Sequence, residues 1–330
     1  MIRFVRHAFA AGAAFAAAAG FACAPPREPL PPPSRPATPA RALLPGPKPA
    51  PAGRLQDDVG EYDSAGGIRF VIEEGGRLWL VDTARGAGNR VPYVAGSVPL
   101  KRRSVGPEAG SNQLRITPLR SIDDVRRDAL AASPPPEPPA ARSPDLVEVT
   151  RLDPTIRLEI RYATTNNFLG TRFYDEARAF LQCPAAEAVV RANKALRTLG
   201  YGLLIHDAYR PWYVTKMFWD ATPPDKRWLV ANPAEGSKHN RGAAVDLTLL
   251  NLATGAPVEM PSTYDESTGR AFADYPGGTS LQRWHRALLR NAMVAEGFLV
   301  NPSEWWHFDY QSWRAYPIGN VAFDRIGRQR

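Results

Sequence analysis

Apolar and polar residues alternate along the second half of the chain in short runs that predict β-strands. Residues 147–149 and 156–160 alternate with a period of two, as half-buried strands do. Residues 203–205 are entirely apolar, which is typical of a short buried strand. In residues 244–249, three apolar side chains fall on one face and Asp246 falls on the other. This region is therefore rich in predicted strands, and one of them presents a carboxylate.

Helical signals lie between these strands. Residues 184–199 begin with a proline and are followed by a glycine, the usual order at the two ends of a helix. Residues 211–219 have helical spacing as well. Thr279 and Gln282, three residues apart, predict a capping box at the start of a further helix that a glycine ends.

A last strand is predicted over residues 305–310. Strands and helices follow one another without a regular strand–helix–strand order. The sequence therefore predicts an α+β domain with a mostly antiparallel central sheet flanked by helices. We place this domain at residues 146–330.

Residues 55–130 form a region with β-type patterning. Two apolar runs flank Gly75 and Gly76, which predicts a β-hairpin. Residues 91–94 and 114–116 are apolar enough for two further short strands. Because the region contains neither histidine nor cysteine, we interpret it as a small β-rich accessory module, a spacer or wall-binding appendage.

Proline content separates these regions. Of the 33 prolines in the chain, twelve lie in residues 25–51 and six in residues 134–144. Such runs cannot form a helix or a central strand, so they favour extended, polyproline-like segments. We predict Pro-rich linkers at residues 23–54 and 131–145.

The first 22 residues resemble a secretory signal. Arg3 and Arg6 precede an Ala- and Phe-rich stretch that is too short for a membrane span. Two processing routes are open: ordinary cleavage that leaves a proline first, or cleavage before Cys23 with lipid attached to its sulfur. The Pro-rich tether favours the lipoprotein route, although Gly20 stands where such signals usually carry leucine. We expect an exported, periplasmic protein with a lipid anchor at Cys23.

The net charge of +8 is spread through both halves of the chain. No basic run carries interleaved aromatic residues, which argues against a nucleic-acid partner. A basic exported protein is instead expected to contact the cell wall or the outer-membrane surface through its N-terminal tether. Cys183 is interpreted as a small buried side chain, since Cys23 is expected to be acylated or removed.

Two histidines and an aspartate form the strongest candidate site. His239 precedes Asp246 by seven residues, with Gly242 between them to allow a sharp turn, and His307 follows farther along. Each histidine alone is more simply a satisfied polar residue, but together with the aspartate they form a ligand set for zinc. Three protein ligands leave a fourth position for water, so the pattern predicts one zinc ion per chain in a catalytic type of site.

Glu304 and Arg210 are the candidate catalytic residues. Glu304 precedes His307 by three residues, so on one regular strand the two side chains would face opposite sides. Both can serve one site only if Glu304 belongs to the turn at residues 301–303 and the strand starts after it. Glu304 would then be the general base for water and the acid for the leaving amine. Arg210 either pairs with Asp207 or donates to the developing oxyanion.

Several separated motifs occur in this order: Arg161-Tyr162-Ala163-Thr164, Asn167-Phe168, Asp207-Ala208-Tyr209-Arg210-Pro211, Ser237-x-His239-x-x-Gly242-x-Ala244-x-Asp246, Asp246-Leu247-Thr248-Leu249 and Glu304-Trp305-Trp306-His307. Together they resemble the zinc DD-peptidase superfamily of D,D-carboxypeptidases and dipeptidases. More narrowly, they are similar to the D-alanyl-D-alanine dipeptidases of the vancomycin-resistance type. The resemblance extends over more than half of the chain, from Leu146 to the region of Tyr316.

The resemblance implies a role for each matching residue. It implies zinc ligands and catalytic groups as follows: His239, Asp246 and His307 hold zinc, Glu304 is the acid/base, and Arg210 stabilises the transition state. It also implies substrate contacts: Asp265 holds the free ammonium with help from Tyr162, and Ser237 and Tyr174 contact the carboxylate. The chain departs from the family at Pro261, where glycine is usual, and at Lys238, next to the ligand histidine.

We therefore predict an exported zinc dipeptidase that hydrolyses D-alanyl-D-alanine, or a close D,D-dipeptide, to free D-amino acids. Asp265 would select dipeptides, because a longer peptide has no ammonium group at that place. Two alternatives stay open at this point. A D,D-carboxypeptidase acting on peptidoglycan stem peptides would share the zinc set without the ammonium clamp, and a non-catalytic cell-wall-binding lipoprotein would need neither Glu304 nor Arg210.

Overall fold

A computed structural model describes residues 40–64, 67–82, 90–94, 100–103 and 114–327 of the chain. The described residues belong to one compact unit. The signal-like segment, Cys23 and most of the first Pro-rich linker lie outside the described residues, so the predictions made on them are untested. Among the helices of the described part, none has the length and apolar character needed to cross a membrane.

The described part contains strands and α-helices with the following bounds. The strands are β1 (Gly60–Ser64), β2 (Gly67–Glu74), β3 (Arg77–Asp82), β4 (Arg90–Pro92), β5 (Lys101–Arg102), β6 (Leu146–Glu148), β7 (Arg157–Leu158), β8 (Phe180–Gln182), β9 (Tyr201–Asp207), β10 (Ala244–Asn251), β11 (Phe298–Asn301) and β12 (Glu304–Tyr310). The helices are α1 (Ile122–Ala131), α2 (Val149–Leu152), α3 (Cys183–Arg197), α4 (Trp212–Ala221) and α5 (Ser280–Ala295).

The central sheet has the strand order β11-β12-β10-β9-β7. Every neighbouring pair is antiparallel except β7 and β9, which are parallel. A second antiparallel pair, β6 with β8, lies outside this sheet. The prediction of an α+β fold with a mostly antiparallel sheet is confirmed.

Helices α3 and α5 pack together and against the sheet. The predicted capping box at the start of α5 is present: the backbone N–H of Gln282 donates to the Thr279 hydroxyl at 3.2 Å, and the backbone N–H of Thr279 donates to the Gln282 side chain at 2.9 Å. Leu247 of β10 is fully buried in the core between these layers. Burial of such a side chain contributes about 1.5–3 kcal/mol.

The β-rich region forms its own antiparallel sheet in the order β4-β3-β2-β1-β5. The predicted hairpin is present as β2 and β3, with Gly75 and Gly76 at φ 61° and 72°. Tyr275 donates to the Glu61 carboxylate at 3.0 Å, and the backbone N–H and hydroxyl of Ser280 donate to Glu73 at 3.0 and 2.5 Å. The N-terminus of α5 is thus held by a carboxylate of the module, a favourable partner for the helix dipole.

Two segments differ from the sequence-based expectations. Residues 114–116 form no strand, and the following residues form α1, which packs against α4 of the C-terminal domain. The end of the predicted first linker is also folded onto the domain. Leu43 is 2% exposed, Asn291 of α5 donates to its carbonyl at 2.9 Å, and Trp284 donates to the Gly46 carbonyl at 3.1 Å. Hydrophobic contacts with α4 and α5 explain why these segments are ordered.

Candidate metal centre and substrate cavity

His239, Asp246 and His307 come together at the middle of the central sheet. Asp246 of β10 lies directly opposite His307 of β12 in the strand register, and neighbouring residues in such a pair have adjacent side chains. A bulge after Asp246 interrupts the pairing with β9. His239 begins a short 3-10 turn that Gly242 ends at φ 64°, and this turn brings His239 back to the sheet. All three side chains are buried.

Hydrogen bonds behind the two imidazoles orient their rings. His239 Nδ1 donates to the carbonyl oxygen of Ala208 at 2.7 Å, so its Nε2 faces the site. His307 Nε2 donates to Asp309 Oδ1 at 2.9 Å, so its Nδ1 faces the site. These two nitrogens and the Oδ1 oxygen of Asp246 face one another.

The three facing atoms fit a bound zinc ion. The distances are 3.2 Å between the two nitrogens, 2.9 Å from His307 to Asp246, and 3.4 Å from His239 to Asp246. With Zn–N bonds of 2.0–2.1 Å, tetrahedral ligands lie about 3.3 Å apart. Although burial alone would lower it, hydrogen bonds to Asp246 and Asp309 raise the pKa of the metal-free His307 to about 10. A zinc ion at this site would displace the proton that the imidazole then carries on Nδ1.

Several residues that support this set were missed by sequence reasoning. Tyr264 donates to Asp246 Oδ2 at 3.0 Å, and Asp309 fixes His307. Asp309 lies two residues after His307 on one strand, a spacing that places both side chains on one face, so this partner was predictable. The Ala208 carbonyl has no signal in the sequence, because any residue supplies a backbone oxygen.

Glu304 is the first residue of β12 and follows the turn that joins it to β11. The pairing of β11 and β12 is irregular here, with Asn301 opposite Glu304, and the Asn301 amide donates to Glu304 Oε2 at 3.1 Å. This irregularity brings Glu304 Oε2 within 3.7 Å of His307 Nδ1. The expectation that the strand starts only after Glu304 is wrong, because Glu304 is the first residue of β12 and the irregular pairing accounts for its position. Burial raises the pKa of the Glu304 carboxyl, with a further contribution from Asp246.

Arg210 lies beside the metal set in a fixed orientation. Its Nε and Nη2 donate to Asp207 Oδ2 at 3.1 and 2.7 Å. Its guanidinium lies 5.2 Å from the ring centre of Tyr162 and 4.8 Å from that of Phe218. The pairing with Asp207, one of the two alternatives for Arg210, is present, and it leaves the guanidinium facing the cavity described next.

A cavity of about 610 Å³ opens over these residues. It is lined by the predicted site residues Tyr162, Arg210, Ser237, His239, Asp246, Asp265, Glu304 and His307. Apolar side chains, among them Phe168, Phe218 and Trp228, also line it. The structure thus places eight of the nine predicted residues around one space.

Tyr174 is the ninth, and it lies behind the cavity wall. It is 2% exposed, and its hydroxyl donates to Asp207 Oδ1 at 2.7 Å. This position differs from the predicted contact with the substrate carboxylate. Tyr174 instead fixes Asp207, which in turn holds Arg210.

Asp265 faces the cavity with a strained backbone. Its φ of 59° makes it the one non-glycine residue with a positive φ in the described part of the chain. Tyr162 donates to Asp265 Oδ2 at 3.2 Å. Burial, together with the charges of Asp246 and Glu304, raises the pKa of Asp265 to about 8. A carboxylate in such negative surroundings is a suitable partner for a ligand's positive group.

Comparisons with known proteins agree with this geometry. The sequence profile of one protein family, peptidase family M15, described as D-ala-D-ala dipeptidase, matches residues 142–317. That segment contains every residue that lines the metal set.

Three relatives are D-alanyl-D-alanine dipeptidases. The chain is 34% identical to that of Escherichia coli (strain K12) over 174 residues, which are 53% of this chain and 89% of the relative. It is 33% identical to that of Enterococcus faecium over 187 residues, 51% of this chain and 91% of the relative. It is 32% identical to that of Streptomyces coelicolor over 182 residues, 50% of this chain and 90% of the relative. The similarity covers nearly the whole length of each relative.

Proposed function

The chain belongs to the D-ala-D-ala dipeptidase family of M15 peptidases, and from this we propose that it is a zinc dipeptidase. Its substrate would be D-alanyl-D-alanine, or a close D,D-dipeptide, which it cleaves to free D-amino acids. The observation that carries the proposal is the convergence of His239, Asp246 and His307 beside Glu304 in a cavity that also holds Asp265.

His239, Asp246 and His307 would hold one zinc ion. Zinc in such a site lowers the pKa of water toward neutrality and polarises the scissile carbonyl. The hydrogen bonds from His239 to Ala208 and from His307 to Asp309 hold both rings with one nitrogen toward the site. Zinc binding would displace the Nδ1 proton of His307 without turning the ring.

Glu304 would move the protons of the reaction. Its raised pKa suits a group that takes a proton from the attacking water and gives it to the leaving amine. Its side chain is 39% exposed, so water and substrate can reach it. The Asn301 amide holds the carboxylate at the edge of the cavity.

Arg210 would donate to the oxygen of the scissile carbonyl as negative charge develops there. A guanidinium has five N–H donors, and the two bonds to Asp207 leave others for the substrate. Because Asp207 and the flanking rings fix its orientation, little reorganisation is needed during the reaction. One such donor is worth roughly 3–4 kcal/mol of the barrier.

Asp265 would bind the free ammonium of the dipeptide, with Tyr162 orienting the carboxylate. The negative charges of Asp246 and Glu304 disfavour the ionised form of Asp265. The positive ammonium of the substrate would offset this effect. A peptide extended at its amino end has an amide at this place, which loses the charge and adds bulk. This difference supports a dipeptidase over a carboxypeptidase.

Comparing D-Ala-D-Ala with N-acetyl-D-Ala-D-Ala tests this proposal. We expect kcat/KM for the free dipeptide to exceed that for the acetylated one by about 10²-fold or more, since a charge-assisted bond worth 1.5–3 kcal/mol is lost and a clash is added. The rates would be measured from released D-alanine with zinc-loaded protein. Preference for the acetylated substrate would favour the carboxypeptidase alternative.

Replacing Asp309 with asparagine should weaken zinc binding by about 10–100-fold without abolishing it. The reason is that Asp309 accepts the hydrogen bond from His307 Nε2, and asparagine at this position has no negative charge. Zinc affinity would be measured by competition with a chromophoric chelator. Asp220→Asn is the matched control, since Asp220 pairs with Lys216 on α4 and does not line the cavity. Equal affinities of the two variants would contradict the assigned role of Asp309.

We also propose that the protein is exported and acts outside the inner membrane. The Arg3 and Arg6 residues, the apolar stretch after them and Cys23 support this proposal. Attachment to the cell wall or the outer-membrane surface through the N-terminal tether, with lipid on Cys23, is part of the same proposal.

A further inference from the structure

Besides Arg210, two cations line the cavity and have no role in the proposed reaction: Lys238 and Arg241. The side chains of Arg210, Lys238 and Arg241 are 9%, 40% and 13% exposed, respectively. All three are paired: Arg210 with Asp207, Lys238 with Asp309, and Arg241 with Glu137. Lys238 is the most exposed of the three and therefore the most accessible to an incoming ligand.

The Lys238 ammonium is held in place by Asp309. Its Nζ donates to Asp309 Oδ2 at 2.5 Å and lies 5.4 Å from the ring centre of Trp313. The other oxygen of Asp309 accepts from His307, so Lys238 is connected to a metal ligand through one carboxylate. An ammonium has three N–H donors, and Asp309 accepts one of them. The remaining donors are available to a ligand.

A dipeptide carries a carboxylate that needs a partner in this cavity. Tyr174, expected to be that partner, is bonded to Asp207 behind the wall. The Ser237 hydroxyl accepts from the backbone N–H of His239 at 3.2 Å and is a neutral group. A buried or half-buried carboxylate is bound most favourably by a charged donor.

The cavity lining contains groups of both charges. Asp265 is influenced by the charges of Asp246 and Glu304. Lys238 and Arg241 both approach the ring of Trp313, which also lines the cavity. A zwitterionic dipeptide has one charged group for each kind of partner.

We propose that Lys238 binds the C-terminal carboxylate of the substrate and selects dipeptides with a free acid end. This inference rests on the proposed dipeptidase function. Asp265 and Lys238 would then recognise the two charged ends of the dipeptide.

The test compares D-Ala-D-Ala with its C-terminal amide, D-Ala-D-Ala-NH₂, in wild-type and Lys238→Met protein. We expect Lys238→Met to raise KM for the acid about tenfold, the lower end for a charge-assisted hydrogen bond because the side chain is partly exposed. KM for the amide should change less than twofold. Lys238→Arg keeps the charge and should retain the preference for the acid.

Lys216→Met is the matched control, because Lys216 pairs with Asp220 on α4, outside the cavity. It should leave both KM values and the zinc content unchanged. The zinc content of Lys238→Met should also equal that of the wild type.

Three outcomes would overturn the inference. An unchanged acid-to-amide ratio in Lys238→Met would show that the ammonium does not bind the carboxylate. An equal loss on both substrates, or a loss of zinc, would show that Lys238 acts only by positioning Asp309. Failure of the wild type to hydrolyse either dipeptide would instead refute the proposed function, and the role of Lys238 with it.

Discussion

Replacing Glu304 with glutamine is expected to lower kcat for D-Ala-D-Ala by about 10²–10⁴-fold, the range of general acid–base catalysis. Glutamine has nearly the same shape and keeps an oxygen for the Asn301 amide, but it cannot exchange a proton. Glu304 is no member of the three-atom metal set, so zinc should remain bound. Steady-state rates and zinc content, measured on the same preparation, check both parts.

Glu259→Gln is the matched control for this experiment. Glu259 is exposed, its side chain accepts a hydrogen bond from Gln56, and it does not line the cavity. The control should turn over at the wild-type rate. A Glu304→Gln protein with zinc bound and kcat within tenfold of wild type would remove Glu304 from the proton transfers.

Replacing Asp246 with alanine is expected to remove both zinc and turnover. The change takes away one of three converging donors and also leaves the Tyr264 hydroxyl without its partner. Loss of a residue that hydrogen-bonds to a metal ligand lowers metal affinity by about 10–100-fold. Loss of the ligand itself should lower it further. Zinc stoichiometry after dialysis against a chelator, followed by assay of D-Ala-D-Ala hydrolysis, measures the effect.

A folding control is needed because Asp246 is buried. Asp246→Asn preserves the volume and leaves an oxygen for Tyr264, so its circular dichroism and melting temperature should stay close to wild type. It should nevertheless bind zinc more weakly than Asp309→Asn. Retention of one zinc per chain by Asp246→Ala after chelator dialysis would disprove the proposed ligand set.

The central sheet and its long helices were predictable because each carries a local signal. The alternation in β10, the Thr279–Gln282 cap of α5 and the glycine pair between β2 and β3 all depend on neighbouring residues. Helix α1 was missed because it follows an apolar segment that resembles a strand, and its burial depends on distant α4. The packed end of the first linker was missed for the same reason, since Leu43 is buried by α5.

The metal set was predictable because histidine and aspartate side chains carry specific chemistry at a family-like spacing. The substrate-binding groups were harder to predict. The role expected for Tyr174 depended on a sequence match alone, whereas the orientation of this residue depends on Asp207, at the end of β9. The ion pair of Lys238 with Asp309 joins residues 71 positions apart, so no local pattern indicates it.

Residues before the family segment contribute to the core under the active site. Leu43, Ile116 and Val125 are buried in the same cluster as Leu247 of the central sheet. In this protein, the segment shared with the dipeptidases therefore has a hydrophobic core in common with residues that precede it. Truncation to residues 142–317 would uncover apolar surface, so the shortened protein is expected to melt at a lower temperature than the longer one.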